Sequence, residues 1–305
     1  MLKRLNAILT KTMDNPQYLR YYWQNKHFCR WYFPSVYRFF QTFKKPTSID
    51  LGSESGLARL HVILRTTDAV MNINASRQLE CVGISSRQQV ISAGGCSLFK
   101  AAQRFAERYG CEHIRITLIV DRLSAEGLAL YRDAAATYGL SFDVVDAKGH
   151  GNGPTFQTQI DIALQDSDDT LALILKDDYL LEEDALTTCF HIIQGHSHVT
   201  GMTPHFHPDR VRRQDAGLLV ALDGRLYCRV KNTCCTFFMP VSQIRRFEKS
   251  LRVYDGKEDG SVNVAWHKGI CLAPLGWTLA EHLHRTELSP VNRLRGQHVD
   301  NRIDR

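Results

Sequence analysis

Four short apolar segments, each with an acidic residue at or near its end, constrain the fold of this chain most. Segments with a helical period of about 3.6 residues separate them. Strands that alternate with helices predict right-handed crossovers and a mostly parallel sheet covered by helices on both faces. The expected fold class is therefore α/β, with strands at 57–68, 113–121, 141–147 and 170–175.

The helical segments between these strands carry start and stop signals. The stretch 86–110 is predicted to begin as a loop and to continue as an amphipathic helix that ends at Gly110, because glycine most easily adopts a left-handed helix end. The second begins after Ser124 and ends at Gly139. The third, at 157–166, follows a glycine-rich stretch at 148–156. One helix is thus expected in each crossover.

Composition limits the class of protein. With 305 residues, 44% apolar and 23% charged, the chain can bury one large core or one and a half. No window approaches the roughly 18 apolar residues of a membrane-spanning helix, and the N-terminus lacks a secretion signal. The nine cysteines are scattered, which favours reduced thiols. We expect a cytoplasmic protein.

Residues 1–46 form a basic and aromatic arm. They carry nine Lys or Arg against one acid, Asp14, whereas the whole chain has a net charge of +6. Such a segment predicts an amphipathic helix lying on an anionic membrane, here the inner face. Packing of the aromatic rings on the domain is an equally weighted alternative. Nucleic acid ranks third as a partner, because no recognised binding motif accompanies the charge.

Acidic residues stand where the predicted strands end. In parallel sheets a ligand binds outside the carboxyl ends of the strands, so these acids are expected at one edge. Gathered carboxylates repel one another, and a cation or a donor-rich ligand would compensate. For Asp68 and Asp146 a turn or cap role is the favoured alternative. The adjacent Asp177 and Asp178, with Asp121, are the stronger candidates for a site.

The order of these motifs resembles a known enzyme class. A strand with a terminal Asp ("LIVD"), a glycine-rich turn with a helix ("GHGNGPTFQTQIDIAL") and a strand with an acid pair ("LILKDDYLLEEDAL") are similar to GT-A nucleotide-sugar glycosyltransferases, especially family 2 and related bacterial enzymes. The resemblance covers about residues 58–290. It implies a Rossmann-like fold and inverting transfer of a sugar from a UDP- or GDP-linked donor. The implied acceptor is a hydroxyl of a glycan or a lipid-linked molecule, as in polysaccharide or lipopolysaccharide biosynthesis.

The resemblance also implies roles for particular residues. Asp121 would contact the nucleobase, Asp177 the ribose, and Asp178 a divalent cation, Mn²⁺ or Mg²⁺, on the diphosphate. Thr66 and Asp68, at the end of the first strand, would line the nucleotide pocket.

The glycine-rich turn and the residue before the acid pair complete the donor side. Asn152 and Gly153 are expected to shape the donor pocket near a helix N-terminus. Lys176 departs from the pattern, because related enzymes place the first acid of their metal motif there. The lysine either replaces part of the metal's charge on the diphosphate or marks a weakened site.

Two further roles follow from the C-terminal half. In inverting relatives an acid before a short helix deprotonates the acceptor, which selects Asp259, with Glu258 as runner-up. A solvated acidic turn is the alternative for both. The resemblance also implies that His282 completes the metal sphere or contacts the diphosphate. As a metal ligand it would favour Mn²⁺ over Mg²⁺, because Mn²⁺ accepts imidazole better. The alternative for His282 is a surface or packed histidine.

The expected organisation is an arm at 1–46, a linker at 47–57, a GT-A-like catalytic domain at 58–290 and a polar tail at 291–305. Two other functions stay open. Lys176 would also suit a non-catalytic nucleotide-binding protein on a degenerate transferase scaffold. A sugar-phosphate nucleotidyltransferase is less favoured, because "RTTDAVMNINAS" lacks the glycine-rich, Lys/Arg-containing loop that such enzymes carry after the first strand.

Overall fold

The computed structural model describes residues 50–68, 86–205, 219–233, 236–252, 258–275 and 278–283, without the side chains at 219, 258 and 259. The predicted arm at 1–46 and tail at 291–305 lie outside these residues. The strands are β1 (Arg59–Thr67), β2 (Ile114–Asp121), β3 (Asp143–Asp146), β4 (Thr170–Lys176), β5 (Tyr179–Leu181), β6 (Val199–Met202), β7 (Leu219–Leu222), β8 (Arg225–Val230), β9 (Phe237–Pro240), β10 (Ile270–Pro274) and β11 (Ala280–His282). The helices are α1 (Arg87–Tyr109), α2 (Ala125–Thr137), α3 (Asn152–Ala163), α4 (Ala185–Gly195), α5 (Val241–Leu251) and α6 (Glu258–Lys268).

Within the described residues, nine strands form one sheet in the order β3-β2-β1-β4-β9-β6-β10-β8-β7. Strands β3, β2, β1 and β4 are mutually parallel, and β6 is parallel to β10. Only β9 and β8 run against the common direction. A separate pair, β5 and β11, forms a small antiparallel sheet. The predicted α/β class with a mostly parallel sheet is confirmed.

Helices cover both faces of the large sheet. One core contains the apolar sides of α1, α2 and α4, and the other contains those of α3, α5 and α6. Strand β1 shows why, because Val62 and Leu64 enter the first core while Ile63 enters the second. A strand covered on both faces is apolar throughout, as the segment Leu171–Leu175 of β4 is.

The helix ends follow the predicted signals with two differences. Helix α1 begins at Arg87, where a loop was predicted, and the Ser86 side chain accepts a hydrogen bond from the Gln89 amide at its start. Ser124 likewise caps α2. Helix α3 begins at Asn152, inside the stretch predicted to be a turn, so its expected start at residue 157 is wrong. Pro154 fits in the first turn because the first amides of a helix have no intrahelical partner to lose.

The described part of the predicted linker packs on the folded body. Leu51 and Leu57 are buried, and the amide of His198, just after α4, donates to the carbonyl oxygen of Leu51 at 2.9 Å. Among the helices that the structure describes, none has the length and apolar character needed to cross a membrane.

Candidate active site

The candidate site lies at the carboxyl ends of β2, β1 and β4. Thr67, the last residue of β1, pairs with Asp121, the last residue of β2. Asp177 and Asp178, hereafter the acid pair, follow directly on β4. Strands β2 and β4 flank β1, so their ends are about 10 Å apart at the usual strand spacing. The structure thus brings the predicted nucleobase-contacting acid and the acid pair to one edge.

Asp177 is buried and held by two elements. Its Oδ2 accepts a hydrogen bond from the Thr67 amide at 3.2 Å and forms an ion pair with the Arg87 guanidinium. Arg87 also donates to the Thr67 carbonyl oxygen, from Nε at 2.8 Å and from Nη2 at 2.6 Å. Burial raises the pKa of Asp177, and the charge of Arg87 opposes that rise. The first residue of α1 is therefore tied to the acid pair.

Asp178 faces a different set of partners. The His282 imidazole donates from Nε2 to Asp178 Oδ2 at 3.1 Å, and Lys176 Nζ lies 3.5 Å from the same oxygen. Burial alone would raise the pKa of Asp178, but Lys176 and His282 hold it well below its usual range. Oδ1 is buried and accepts no hydrogen bond from the described residues. A buried acceptor left unbonded costs about 1–3 kcal/mol, so this oxygen is suited to accept a hydrogen bond from a bound ligand or a water molecule.

A small sheet holds His282 in place. Strand β11 pairs with β5, which sets His282 opposite Tyr179, and the two rings stack with centroids 4.5 Å apart. The amide of Leu283 donates to the carbonyl oxygen of Asp178 at 2.7 Å. The predicted metal ligands Asp178 and His282 are thus brought together by packing between β5 and β11.

The residues around Asp178 do not suit a divalent cation. In the part of the chain that the structure describes, no group of three or more His, Cys, Asp or Glu side chains could hold a metal. The positive charges of Lys176 and Arg65 act on Asp178, the carboxylate that was predicted to bind Mn²⁺ or Mg²⁺. Two cations beside one carboxylate repel a divalent ion. The described donor set therefore does not fit the implied metal.

Asp121 fixes the loop that enters α3. Its Oδ2 accepts from the Gly151 amide at 2.8 Å, and its Oδ1 accepts from His150 Nδ1 at 2.7 Å and Arg122 Nε at 3.0 Å. Burial would raise the pKa of Asp121, but these donors lower it below its usual value. Gly151 has a φ of 88°, a conformation that glycine adopts without strain. Both oxygens of the predicted nucleobase-contacting acid are thus engaged within the protein.

The two predicted donor-pocket residues open α3. Asn152 and Gly153 form its first turn, and Arg65 donates from Nη1 to the carbonyl oxygen of Asn152 at 2.7 Å. Further along α3, the buried Gln159 donates from Nε2 to carbonyl oxygens of both β1 and β4. These bonds fix the N-terminus of α3 against the strand ends that carry the acids.

Thr66 and Asp68 lie on the other side of the strand ends. Thr66 is buried and accepts a hydrogen bond from the Tyr131 hydroxyl at 3.1 Å, and burial raises the pKa of that hydroxyl. Asp68 accepts a hydrogen bond from the Ser124 amide at the start of α2. This contact is of the kind that the alternative cap role for Asp68 predicts. Asp146, at the end of the edge strand β3, is exposed.

The predicted catalytic acids stand at the start of α6. The helix begins at Glu258, so Glu258 and Asp259 occupy its first turn, where carboxylates are favoured by the helix dipole. Their side chains lie outside the described residues, and their role stays a prediction.

Two of the cations beside the acids, Arg65 and Arg87, were not predicted from the sequence. Arg65 directly follows the apolar run Val62–Leu64, and a charged residue in such a position is rarely buried unless it is paired. That signal was available in the sequence. Arg87 had none, because its partner is 90 positions away along the chain.

Comparison of the sequence with protein-family models and with curated proteins gives no match. Comparison with solved structures returns glycosyltransferases. One is the mannosyltransferase PcManGT from Pyrobaculum calidifontis, in complex with GDP-Man and Mn²⁺, at 13% identity and a TM-score of 0.45 over 79% of this chain and 62% of that chain. Another is S. aureus TarS 1–349, at 10% identity and a TM-score of 0.41 over 73% of this chain and 59% of that chain.

A third is the galactosyltransferase LgtC in complex with donor and acceptor sugar analogs, at 15% identity and a TM-score of 0.36 over 69% of this chain and 72% of that chain. The chain thus spans less than two thirds of the length of the first two. These proteins are of the class that the sequence resembles. Because each identity is below 25% and each TM-score below 0.5, the activity, donor and metal of this chain are inferred from its own residues.

Proposed function

We propose that the protein is a glycosyltransferase that moves a sugar from a UDP- or GDP-linked donor to a hydroxyl of a glycan or lipid-linked acceptor. The observation that carries this proposal is the mixture of acids and cations at the ends of β1 and β4. Asp177 and Asp178 lie beside Lys176, Arg65 and Arg87. Carboxylates accept hydrogen bonds from sugar hydroxyls, and cations bind a diphosphate.

The two acids have different parts in donor binding. Asp177, held by Arg87 and the Thr67 amide, is in a fixed orientation to accept a hydrogen bond from the ribose. Asp178 has a buried oxygen, Oδ1, that accepts no hydrogen bond from the described residues, and a hydroxyl of the donor would supply that bond. Asn152 and Gly153 would approach the diphosphate with the amides of the first turn of α3.

The transfer step would use an acid of α6 as the base. The carboxylate of Asp259, or of Glu258, takes the proton of the acceptor hydroxyl while the hydroxyl oxygen bonds to the anomeric carbon of the sugar. The bond from that carbon to the diphosphate oxygen breaks on the opposite face, which inverts the configuration. Lys176 and Arg65 stabilise the negative charge that develops on the leaving diphosphate.

Calorimetry with UDP and GDP, followed by a screen of nucleotide sugars for nucleotide release, tests this function. We expect one nucleoside diphosphate to bind, and the substitution Asp178→Asn to weaken its binding. Asp168→Asn is the matched control, because this exposed acid pairs with Arg245 ahead of β4, at the opposite end of that strand. Absence of binding to every nucleotide would overturn the proposal.

The second candidate is a nucleotide-binding protein without activity. It is favoured by the internal contacts of Asp121 and Asp177, whose carboxylates are already held by protein donors. Tight nucleotide binding without sugar transfer to any acceptor would support it. A sugar-phosphate nucleotidyltransferase would instead release pyrophosphate from a nucleoside triphosphate, and the segment 69–85 that would carry its loop lies outside the described residues.

The charge of the N-terminal arm also supports an association of the enzyme with a membrane. The arm at 1–46, with nine cations and one acid, would hold a catalytic domain at 58–290 against the inner face of an anionic membrane. Lipid-linked acceptors would be in reach there.

A further inference from the structure

The fixed charges around the acid pair sum to a positive value. Within the described ranges, two carboxylates face three side chains that are cationic at neutral pH. A site built to hold a divalent cation needs the opposite balance, with an excess of carboxylates. The described side chains are therefore arranged for an anion. The fixed charges are those of Asp177, Asp178, Arg65, Arg87 and Lys176.

We infer that Lys176, assisted by Arg65, neutralises the diphosphate of the donor in place of a divalent cation, so that donor binding needs no metal. This inference rests on the proposed function, because it assigns a charge carrier to the same donor site. Lys176 occupies the position where the first acid of a metal motif is expected, and it reverses the charge there.

Lys176 can reach a ligand without leaving its carboxylate unpaired. Its side chain is 24% exposed, whereas that of Asp178 is 8% exposed. Asp178 Oδ2 has a second donor, His282 Nε2, at 3.1 Å. When the ammonium turns from Asp178 to a phosphate oxygen, the imidazole still donates to the carboxylate. The ion pair with Asp178 therefore positions Lys176 near the site and still allows it to bind a phosphate.

Arg65 supplies a second positive charge from the neighbouring strand. It pairs in register with Lys176, so the two side chains leave the same face of the sheet. Arg65 is fixed by its bond to the carbonyl oxygen of Asn152 at the start of α3. The two cations and the first turn of α3 consequently converge on one place, which suits a bound phosphate.

Calorimetry of the full chain with UDP and GDP, in EDTA and then with Mn²⁺ or Mg²⁺, tests the inference. We expect the dissociation constant to change by less than about twofold between these conditions. Lys176→Met should weaken binding about tenfold in both, and Lys176→Arg should retain it. Lys249→Met is the matched control, because that lysine is exposed on α5.

The most direct test is a charge reversal at position 176. Lys176→Asp places carboxylates at 176 and 178, two side chains that already meet across the turn after β4, where Lys176 Nζ lies 3.5 Å from Asp178 Oδ2. We expect this variant to lose nucleotide binding in EDTA and to regain it with Mn²⁺. Circular dichroism of each variant would establish that it folds.

The outcomes separate the inference from the proposed function. Wild-type binding that Mn²⁺ strengthens about tenfold or more, or a Lys176→Met variant that binds like wild type, overturns the inference but leaves the transferase. Inorganic pyrophosphate that binds in EDTA through Lys176, without any nucleoside diphosphate binding, supports the charge assignment and overturns the transferase. If neither binds, both are wrong.

Discussion

Arg87, the first residue of α1, binds the carboxylate of Asp177, which lies 90 positions further along the chain. The same helix approaches the acid pair a second time at Gly94, where a Cβ atom would lie 2.8 Å from the carbonyl oxygen of Asp177. Helix α1 and the turn after β4 are therefore one structural unit. Substitutions in α1 at these two positions should therefore alter the position or the charge environment of Asp177.

Replacement of Arg87 by methionine should be strongly destabilising. The variant leaves Asp177 buried without its cation, and breaking a buried ion pair costs about 3–5 kcal/mol of unfolding free energy. The pKa of Asp177 in the folded state would rise further, so the loss should be largest at neutral pH and smaller in acid, where the carboxyl is protonated. Urea unfolding at several pH values measures this.

The double variant Arg87→Met with Asp177→Asn is the control. It removes both charges, so it should recover part of the stability that Arg87→Met loses. A loss below about 1 kcal/mol for Arg87→Met alone would contradict the proposed contribution of the pair.

Gly94→Ala should destabilise the protein although it lies inside a helix. Alanine normally stabilises a helix by about 1 kcal/mol relative to glycine. Here the new methyl group would meet the backbone of Asp177, which cannot turn aside, so we expect a net loss of about 1–3 kcal/mol. Gly195→Ala is the control, because nothing lies within 4 Å of its Cβ position. Equal thermal stability of the two variants would rule out the close contact.

Asp121→Asn should change the pH dependence of stability. The pKa of Asp121 is lower in the folded protein than in the unfolded chain, so its contribution is present above the ordinary pKa of an aspartate. It is lost as the pH falls through the folded value. We expect the variant to lose about 1–3 kcal/mol at neutral pH, because the Gly151 amide loses a charged acceptor. Chemical unfolding of both proteins should show the difference shrinking below about pH 4. A difference independent of pH would refute this role.

Asp259→Asn should reduce turnover without weakening donor binding. Removal of a general base lowers kcat by about 100- to 10,000-fold, whereas the donor contacts lie on other elements. Glu258→Gln should have a smaller effect in the same nucleotide-release assay. The reverse order of the two variants would transfer the role to Glu258.

Deletion of residues 1–46 should release the protein from membranes. Loss of nine cations removes the attraction to anionic lipid, while the nucleotide affinity in calorimetry should be unchanged. Sedimentation with phosphatidylserine vesicles, compared with neutral vesicles, measures the change. Vesicle binding that is unaffected by the deletion would eliminate the arm as the anchor.

The N-terminal half of the described fold, in which strands alternate with helices, could be predicted from the sequence. Strands β1 to β4 and the ends of α1 and α2 follow local signals such as Ser124 and Gly110. The later strands could not be predicted in this way. Phe237–Pro240 is too short to show a period, and its position between β4 and β6 depends on pairing between distant segments.

In the candidate site, too, some features follow from local sequence and others depend on contacts between distant segments. Strand ends place Asp121 and the acid pair at one edge, because parallel strands end together. Their partners come from separate elements, as Arg87 does from α1 and His282 from β11. Spacing along the chain does not encode such contacts, whereas tertiary packing creates them.

The antiparallel strand β9 lies in the middle of the sheet, yet β5, α4, β6, β7 and β8 all precede it in the chain. During synthesis, the nascent polypeptide therefore leaves one side of β4 unpaired until β9 emerges from the ribosome. An open apolar strand edge readily recruits other chains. The large sheet therefore cannot be completed before β9 is available, and a chaperone that shields the edge of β4 until then should reduce such association.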